Sequence, residues 1–249
     1  MSRTALITGA TGGIGRAICQ RLAGDGYRIA VHYRSRADVA RQLVGELPGG
    51  PHVALAAELG DPDAVASLVD EAVSTFGRLD LLVNNAGVFD RHPLAEVDYD
   101  TWLAAWRRTL DSNLFGAANA CWCAGKHMIE QGGGRIVNIS SRGAFRGEPE
   151  SPAYGASKAG LNALSQSLAQ ALAPHGIYVY AIAPGFVETA MARPWLTGEK
   201  AEAIRQQSPL GRVARADDVA YWVAAMAHED ANFATGTIID VNGASYLRS

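Results

Sequence analysis

Apolar strand-like runs alternate with amphipathic helical patterns along almost the whole chain. Seven runs have strand character: residues 4–8, 28–33, 52–57, 79–84, 135–140, 177–183 and 237–241. Near-continuous apolar strands indicate a sheet that is covered on both faces. Between the runs, apolar residues recur at helical spacing, as at Ile14, Ile18 and Leu22. This alternation predicts an α/β fold, a doubly wound parallel sheet with helices on both faces.

The length of the chain favours one domain. With 249 residues, of which 48% are hydrophobic, the chain can bury a substantial core and stays near the upper size of an undivided domain. We find no internal repeat, low-complexity tract or linker in the sequence. We therefore predict a single domain over residues 1–249, whose loosest stretch is 189–212.

The charge of the chain argues against polyanionic partners. The formal net charge is -3, the pI is about 6.1, and there is no Lys/Arg run, so we expect neither nucleic acid nor a membrane surface as a partner. The first residues lack a charged region followed by an apolar one, and no apolar run approaches the roughly 20 residues of a membrane span. We expect a cytoplasmic protein that binds a small or coenzyme-like ligand.

The three cysteines do not form a recognisable site. Cys19, Cys121 and Cys123 have neither disulfide nor zinc spacing, and the last two would point to different sides of a helix. We predict buried thiols and no metal site.

A glycine-rich turn, "TGATGGIG" at 8–15, follows the first predicted strand and opens a predicted helix. Glycines there let the backbone turn tightly and approach a pyrophosphate, whose charge the helix N-terminus favours. The spacing of Gly9, Gly13 and Gly15 differs by one residue from the usual dinucleotide fingerprint. Such a turn alone also suits a purely structural role, but its place in a strand–turn–helix unit predicts a dinucleotide site.

A second stretch, "AYGASKAG" at 153–160, sets Tyr154 four residues before Lys158. On a helix these side chains share a face. At about 5 Å and an effective dielectric of about 20, the ammonium would favour the phenolate by roughly 3 kcal/mol, or about two pKa units. We therefore expect the lysine to lower the tyrosine pKa toward the range of a general acid–base catalyst. In isolation, the pair would also fit an ordinary helix surface.

Six motifs in order carry a family resemblance. They are the glycine turn, "NNAG" at 84–87, "SN" at 112–113, "NISS" at 138–141, "YGASK" at 154–158 and "PGFVET" at 184–189. With these motifs the chain resembles the classical short-chain dehydrogenase/reductase family, and most closely its 3-oxoacyl-[acyl-carrier-protein] reductase branch. The resemblance covers nearly the whole chain and implies a single-domain Rossmann fold with a seven-stranded parallel sheet.

The resemblance also implies four catalytic residues: Asn113, Ser141, Tyr154 and Lys158. Ser141 would hydrogen-bond the substrate carbonyl, Tyr154 would deliver the proton, and Lys158 would also hold the nicotinamide ribose. Asn113 would support a proton-relay water. Ser140 is adjacent, but the family's separation from the tyrosine selects Ser141.

Cofactor choice depends on "VHYRSR", at the end of the second predicted strand. NAD-binding folds place an acidic residue there, whereas an arginine accommodates the 2′-phosphate of NADP. Here Tyr33 stands at the acidic position and is followed by Arg34 and Ser35, which predicts NADP(H) in preference to NAD(H). Gly12 stands where many NADP-using relatives carry a second basic residue.

Further coenzyme contacts follow from the resemblance alone. Glu58 replaces the aspartate that usually faces the adenine, and Leu59 beside it would contribute backbone. The implied set is Gly9, Thr11, Gly13, Ile14, Gly15, Tyr33, Arg34, Ser35, Glu58, Leu59, Asn85, Ala86, Gly87, Tyr154, Lys158, Pro184, Gly185, Val187 and Thr189.

The implied activity is hydride transfer between NADP(H) and a carbonyl or secondary alcohol. A 3-oxoacyl thioester is one substrate class, and another small ketone, a sugar or a quinone is the alternative. The positions where such reductases often present arginines to an acidic carrier protein fall on Gly132 and His175, which disfavours a carrier-bound substrate. A non-catalytic NADP-sensing protein would have no reason to retain the four catalytic residues. The extended epimerases and dehydratases are a further class of relatives, and they are disfavoured because they have a larger C-terminal region than this chain.

Two expectations concern the outside of the site. The segment 189–212, with Trp195 and Leu196, would form a flap over the substrate. Family members commonly form dimers of dimers through the long helices after the fourth and fifth strands. We therefore expect a homotetramer.

Overall fold

The computed structural model describes residues 2–198 and 200–248. Met1 and Ser249 of the predicted domain, and Glu199 of the predicted flap, lie outside the described residues. Within those ranges, seven strands form one parallel sheet. The strands are β1 (Thr4–Ile7), β2 (Arg28–Tyr33), β3 (Val53–Ala56), β4 (Leu81–Asn84), β5 (Gly134–Ile139), β6 (Ile177–Pro184) and β7 (Ile238–Val241).

The strand order is β3-β2-β1-β4-β5-β6-β7, and every neighbouring pair is parallel. The order reverses between β1 and β4. In open sheets of this kind a crevice forms at the carboxyl ends of the strands on either side of such a switch point. The predicted doubly wound seven-stranded fold is confirmed.

Ten helices connect the strands within the described ranges. They are α1 (Gly13–Gly24), α2 (Ala37–Glu46), α3 (Pro62–Phe76), α4 (Tyr99–Leu110), α5 (Gly116–Gln131), α6 (Gly143–Arg146), α7 (Pro152–Leu172), α8 (Arg193–Leu196), α9 (Lys200–Arg205) and α10 (Ala216–Met226). Local chemistry sets several of their ends. Asp61 caps the N-terminus of α3, where its carboxylate accepts from the N–H groups of Asp63 and Ala64 in the first turn. Gly77 ends the same helix in the left-handed region, at φ +80°.

Alternate residues of β1 enter two different cores, one on each face of the sheet. Ala5 and Ile7 pack in the cluster that contains Ile18 and Leu22 of α1. Leu6 packs in the opposite cluster, which contains Leu68 of α3. Because side chains of a strand alternate between faces, an all-apolar strand requires helices on both sides. This explains why the strands could be located from apolar runs alone.

The cysteines lie in or near these cores. Cys19 and Cys121 are buried, whereas Cys123 is only partly buried, so the prediction of buried thiols is confirmed for two of the three. Burial raises the pKa of each thiol. In the described ranges, no group of three His, Cys, Asp or Glu side chains could hold a metal ion. No helix in the same ranges has the length and apolar composition needed to span a bilayer.

Candidate active site

A cleft of about 1170 Å³ lies at the carboxyl ends of the strands. The glycine turn after β1, the "NNAG" segment after β4 and the serines after β5 line one continuous wall. Three catalytic candidates reach it, namely Ser141, Tyr154 and Lys158. All of the predicted coenzyme residues line it except Tyr33. Residues from distant parts of the sequence are therefore brought together here by the parallel sheet.

The glycine turn packs closely against the segments that follow β4 and β6. Gly9 has φ +61°, and a Cβ on it would lie 2.8 Å from the Ala86 Cα. A Cβ on Gly13 would lie 2.9 Å from Cγ2 of Thr189. Gly12 precedes α1 without a side-chain cap, so the first N–H groups of the helix are free for an anion. This cradle of free N–H groups at a helix N-terminus fits the pyrophosphate of a dinucleotide.

A buried histidine that the motif analysis missed holds this turn in place. The Gly9 N–H donates to Nδ1 of His32 at 3.0 Å, and Nε2 of the same ring lies 3.1 Å from the Ala57 carbonyl oxygen. Nδ1 therefore accepts and Nε2 carries the proton. Burial is the largest influence on His32 and lowers its pKa, which favours this neutral form. The ring ties the end of β1 to β2 and to the segment after β3.

The adenosine end of the cleft is cationic. Arg34 and Ser35 line it as predicted, and Arg36, which was not predicted, lines it as well. Glu58 lies close to the first of these arginines, with Oε2 at 3.9 Å from Nη1 of Arg34. Tyr33 instead packs against the core cluster that includes α1 and is not part of the cleft wall, and its contact with the coenzyme stays a prediction. Strand alternation explains this, since Tyr33 points to the opposite face from His32.

The catalytic candidates converge from β5 and α7. Lys158 is 3% exposed, and its Nζ donates to the Ile139 carbonyl at 2.8 Å. The same Nζ lies 5.8 Å from the centre of the Tyr154 ring. Ser141 follows β5, and its Oγ accepts from the Gly143 N–H at 3.0 Å. One turn of α7 therefore presents the phenol and the ammonium side by side in the cleft.

Burial controls the protonation of this pair. It raises the pKa of Tyr154, with Ser141 opposing the effect and Glu148 adding to it. Burial also lowers the pKa of Lys158 to about 8. The expected lowering of the tyrosine pKa by the lysine is therefore wrong for the chain without coenzyme. The reason is that desolvation favours the neutral form of both groups, and Lys158 is not among the influences on the tyrosine pKa.

Asn113 lies behind the cleft rather than in its wall. It belongs to a π-helical turn, Asp111–Phe115, between α4 and α5. Its Oδ1 accepts from the Val88 N–H at 2.8 Å, and its Nδ2 donates to the Val88 carbonyl at 2.9 Å and to Ser157 Oγ at 3.2 Å. The Asn113 side chain therefore joins the segment after β4 to Ser157 of α7, the residue that directly precedes Lys158.

Aromatic side chains enclose the substrate end. The Phe89 ring lies 4.9 Å from the Tyr154 ring and 5.2 Å from the Trp195 ring, both edge to face. Phe89 was not predicted, and its only sequence signal is its position just after "NNAG". Trp195 from α8 lines the cleft, whereas Leu196 does not. The described part of the segment 189–212 therefore lines the cleft through several residues: Thr189, Ala190, Met191, Ala192, Pro194, Trp195, Ile204 and Gln207.

Charged side chains also line this end, and the sequence reading did not single them out. Arg142, Arg146 and Glu148 lie in the segment between Ser141 and α7. A Cβ on Gly143 would be 2.5 Å from Glu148 Oε1, so this carboxylate lies against the backbone just after the serine. The site thus combines an aromatic cover with a charged wall.

A dinucleotide cradle at a sheet switch point, beside a buried lysine and a partly buried tyrosine, defines a nicotinamide-dependent oxidoreductase. Comparisons with known proteins agree. The family model described as "Enoyl-(Acyl carrier protein) reductase" matches residues 9–244. The chain belongs to the short-chain dehydrogenase/reductase family, whose members act on CH–OH and C=O groups with a nicotinamide coenzyme.

Three relatives illustrate the match. The 3-oxoacyl-[acyl-carrier-protein] reductase FabG of Staphylococcus aureus is 39% identical over 249 residues, covering 99% of each chain. The cis-4-hydroxycyclohexanecarboxylate dehydrogenase of Sinomonas cyclohexanicum is 37% identical over 244 residues, covering 97% of this chain and 95% of that one. A crystal structure of a dehydrogenase/reductase from Sinorhizobium meliloti is 34% identical, with a TM-score of 0.90, covering 98% of this chain and 95% of that one. The resemblance to the 3-oxoacyl reductase branch is confirmed.

Proposed function

We propose that the protein is an NADP(H)-dependent reductase/dehydrogenase that interconverts a carbonyl and a secondary alcohol. The observation that carries the proposal is the convergence of Ser141, Tyr154 and Lys158 beside the glycine cradle in one cleft. A protein that only binds the coenzyme would not need a buried lysine and a partly buried tyrosine beside a serine. Catalysis is therefore favoured over NADP sensing.

The chain's own residues supply proton transfer and positioning. When bound, the nicotinamide gives hydride to the carbonyl carbon or takes it back from the alcohol. In reduction, Tyr154 gives its phenolic proton to the carbonyl oxygen, and Ser141 holds that oxygen by a hydrogen bond. Lys158 holds the ribose and places its charge beside the phenolate that forms. Asn113 acts through its contacts with Val88 and Ser157, as a positioning residue.

NADP(H) is the proposed coenzyme. Arg34 and Arg36 both line the adenosine end, and a guanidinium is well suited to a phosphate group. Arg34 has only a loose contact with Glu58, at 3.9 Å, so it remains available to a 2′-phosphate. The remaining predicted coenzyme residues on the cleft wall would hold the pyrophosphate, adenosine and carboxamide.

A 3-oxoacyl thioester is one candidate substrate, because the Staphylococcus aureus relative is named for it. A small cyclic hydroxy or oxo acid is the second candidate, because another relative is named for such a compound and because this cleft has a charged wall. Other ketones, sugars and quinones remain alternatives within the same reaction type. We keep a cytoplasmic location as a prediction from the sequence.

A homotetramer is the proposed assembly. Phe115, Trp122 and Ile129 are exposed and recur every seven residues, which places them on one face of α5 and the turn before it. An exposed apolar stripe of this kind is typical of a subunit contact. It lies on one of the helices expected to form the interface.

The test of function is a screen of NADPH oxidation. The panel contains 3-oxoacyl thioesters, oxo acids, diketones, quinones and sugars, each assayed with the native enzyme and with Tyr154→Phe. We expect at least one class to be reduced by the native enzyme alone. Turnover that survives equally in Tyr154→Phe would contradict the proposal, as would failure of the whole panel together with failure to bind NADPH.

A further inference from the structure

A buried arginine follows the catalytic serine directly. Arg142 is 4% exposed. Its backbone N–H donates to the Pro184 carbonyl at 2.8 Å, and its Nη1 donates to Ser245 Oγ at 2.6 Å. Its guanidinium carbon lies 5.5 Å from the centre of the Phe186 ring. The side chain is thus fixed by the segments that follow β6 and β7.

No carboxylate of the described residues lies within 4.0 Å of this guanidinium. The acids around it have other partners: Glu148 lies 3.8 Å from Arg146, and Asp240 lies 2.7 Å from Arg248. A buried charge without a counter-ion is costly. Burial, followed by the like charge of Arg146, lowers the pKa of Arg142 to about 10, so the group stays charged at neutral pH.

Arg142 forms part of two walls. The residue lines the active-site cleft beside Ser141, and it lines a neighbouring cavity of about 560 Å³ bounded by α10 and the segment after β7. A guanidinium has five N–H donors, and the described residues accept from one of its nitrogens, Nη1. Its other donors have no acceptor among the described residues.

The charge of this end of the cleft identifies the ligand. Arg142, Arg146 and Lys158 supply three positive charges around Ser141, Glu148 supplies one negative charge, and Arg91 and Glu150 pair with each other, so this end of the cleft is positive. A carboxylate is an anion and matches both this positive charge and the planar donor geometry of a guanidinium.

We propose that Arg142 binds a carboxylate group of the substrate, and that the substrate class is therefore an oxo acid in reduction and a hydroxy acid in oxidation. The proposal rests on the proposed function, because it places the reacting carbonyl at Ser141 and Tyr154 and the carboxylate at the next residue. It favours an acid over a neutral thioester at this site.

The first test compares an acid with its uncharged counterpart. The kcat/KM for 4-oxocyclohexanecarboxylate and for its methyl ester is measured with NADPH in the native enzyme, Arg142→Gln, Arg142→Lys and Arg41→Gln. We expect the native enzyme to prefer the acid at least tenfold, and Arg142→Gln to lower this ratio at least tenfold through the KM for the acid. Arg142→Lys, which keeps a charge, should lower it less.

Arg41 is the matched control, because it is an exposed arginine on α2 that does not line the cleft. Arg41→Gln should leave the acid-to-ester ratio unchanged. Equal kcat/KM for acid and ester in the native enzyme would overturn the proposal, as would a ratio that Arg142→Gln and Arg142→Lys both leave intact. If Arg142→Gln does not fold, the lysine variant alone decides.

The second test does not depend on turnover. Binding of cyclohexanecarboxylate and of cyclohexylmethanol to the coenzyme-free protein is measured by calorimetry. We expect the native protein to bind the carboxylate more tightly than the alcohol, and Arg142→Gln to lose that difference. Carboxylate binding that is independent of Arg142 would overturn the inference even if the reductase activity is established. Activity that survives in Tyr154→Phe would instead contradict the proposed function.

Discussion

Three neighbouring features set the protonation of the Tyr154 phenol: its burial, the Ser141 hydroxyl and the Glu148 carboxylate. Burial and Glu148 raise its pKa, and Ser141 lowers it. In the proposed mechanism the phenolate is the base for alcohol oxidation, so the rate should rise with pH as the tyrosine loses its proton. The position of that rise therefore reports the charges around the ring.

Glu148→Gln should move this pH dependence. Removing the carboxylate removes an influence that raises the pKa of Tyr154, so the alkaline rise of kcat in oxidation should shift to lower pH. The measurement is a pH–rate profile with a saturating alcohol and NADP+. Glu71→Gln, at an exposed position on α3, is the control. A shift to higher pH, or an equal shift in both variants, would contradict the proposed electrostatics.

Arg34→Ala should weaken NADPH binding selectively. A charge-assisted hydrogen bond to the 2′-phosphate is worth roughly 1.5 to 3 kcal/mol, so we expect about a 10- to 150-fold rise in the NADPH dissociation constant and a much smaller change for NADH. Fluorescence titration of both coenzymes measures this, with Arg41→Ala as the control. Equal loss of both coenzymes, or no loss, would refute the assignment of Arg34.

At the scale of elements, His32 is the link between the first three strands. Its ring accepts from Gly9 and contacts the Ala57 carbonyl. Because burial lowers its pKa in the folded chain, the unfolded chain binds a proton at this ring that the folded chain does not. This difference in proton binding arises below the ordinary histidine pKa of about 6.5. The contribution of the His32 ring to the free energy of unfolding is therefore present above that pH and is lost as the pH falls.

The free energy of unfolding should therefore decrease as the pH is lowered below about 6.5, and His32→Gln should make that decrease shallower. Urea denaturation at a series of pH values between 5 and 8 measures the slope. His175→Gln changes an exposed histidine and is the control. The account is wrong for His32 if its variant has the same slope as the native protein.

The strands could be predicted from the sequence because they obey one dominant rule. A strand buried on both faces must be apolar throughout, and the predicted and observed bounds of β2 are identical, Arg28–Tyr33. The helix α1 also followed from local periodicity, at Ile14, Ile18 and Leu22. What the sequence did not predict is the π-helical turn at Asn113, since that extra backbone residue has no pattern of its own.

The residues of the site also divide into those that the sequence could predict and those that it could not. The glycine cradle and the Ser141, Tyr154 and Lys158 positions carry recognisable motifs. Arg142 and Glu148 do not, because their meaning depends on which charges meet in space. The direction of the Tyr154 pKa was mispredicted for a related reason. Spacing along a helix gives the distance to Lys158 but not the burial, which raises the tyrosine pKa and lowers the lysine pKa.

At the scale of the whole molecule, the apolar stripe on α5 predicts the assembly. Trp122 at its centre is 68% exposed, so it is available for a contact between subunits. Trp122→Glu places a charge there and should convert a tetramer to smaller species, because an unpaired charge at an apolar contact is costly. Sedimentation velocity over a range of concentrations measures this. A native protein that stays monomeric at every concentration would refute the tetramer.

The central claim is that the Tyr154 phenol supplies the proton in carbonyl reduction. Its most direct test is steady-state turnover of Tyr154→Phe with the best substrate of the NADPH screen, together with the NADPH dissociation constant. Tyr178→Phe removes a phenol away from the cleft and is the matched control. We predict that Tyr154→Phe lowers kcat by about 10²- to 10⁴-fold while NADPH binding stays near that of the native enzyme. A variant that retains more than about a tenth of native turnover would contradict the claim.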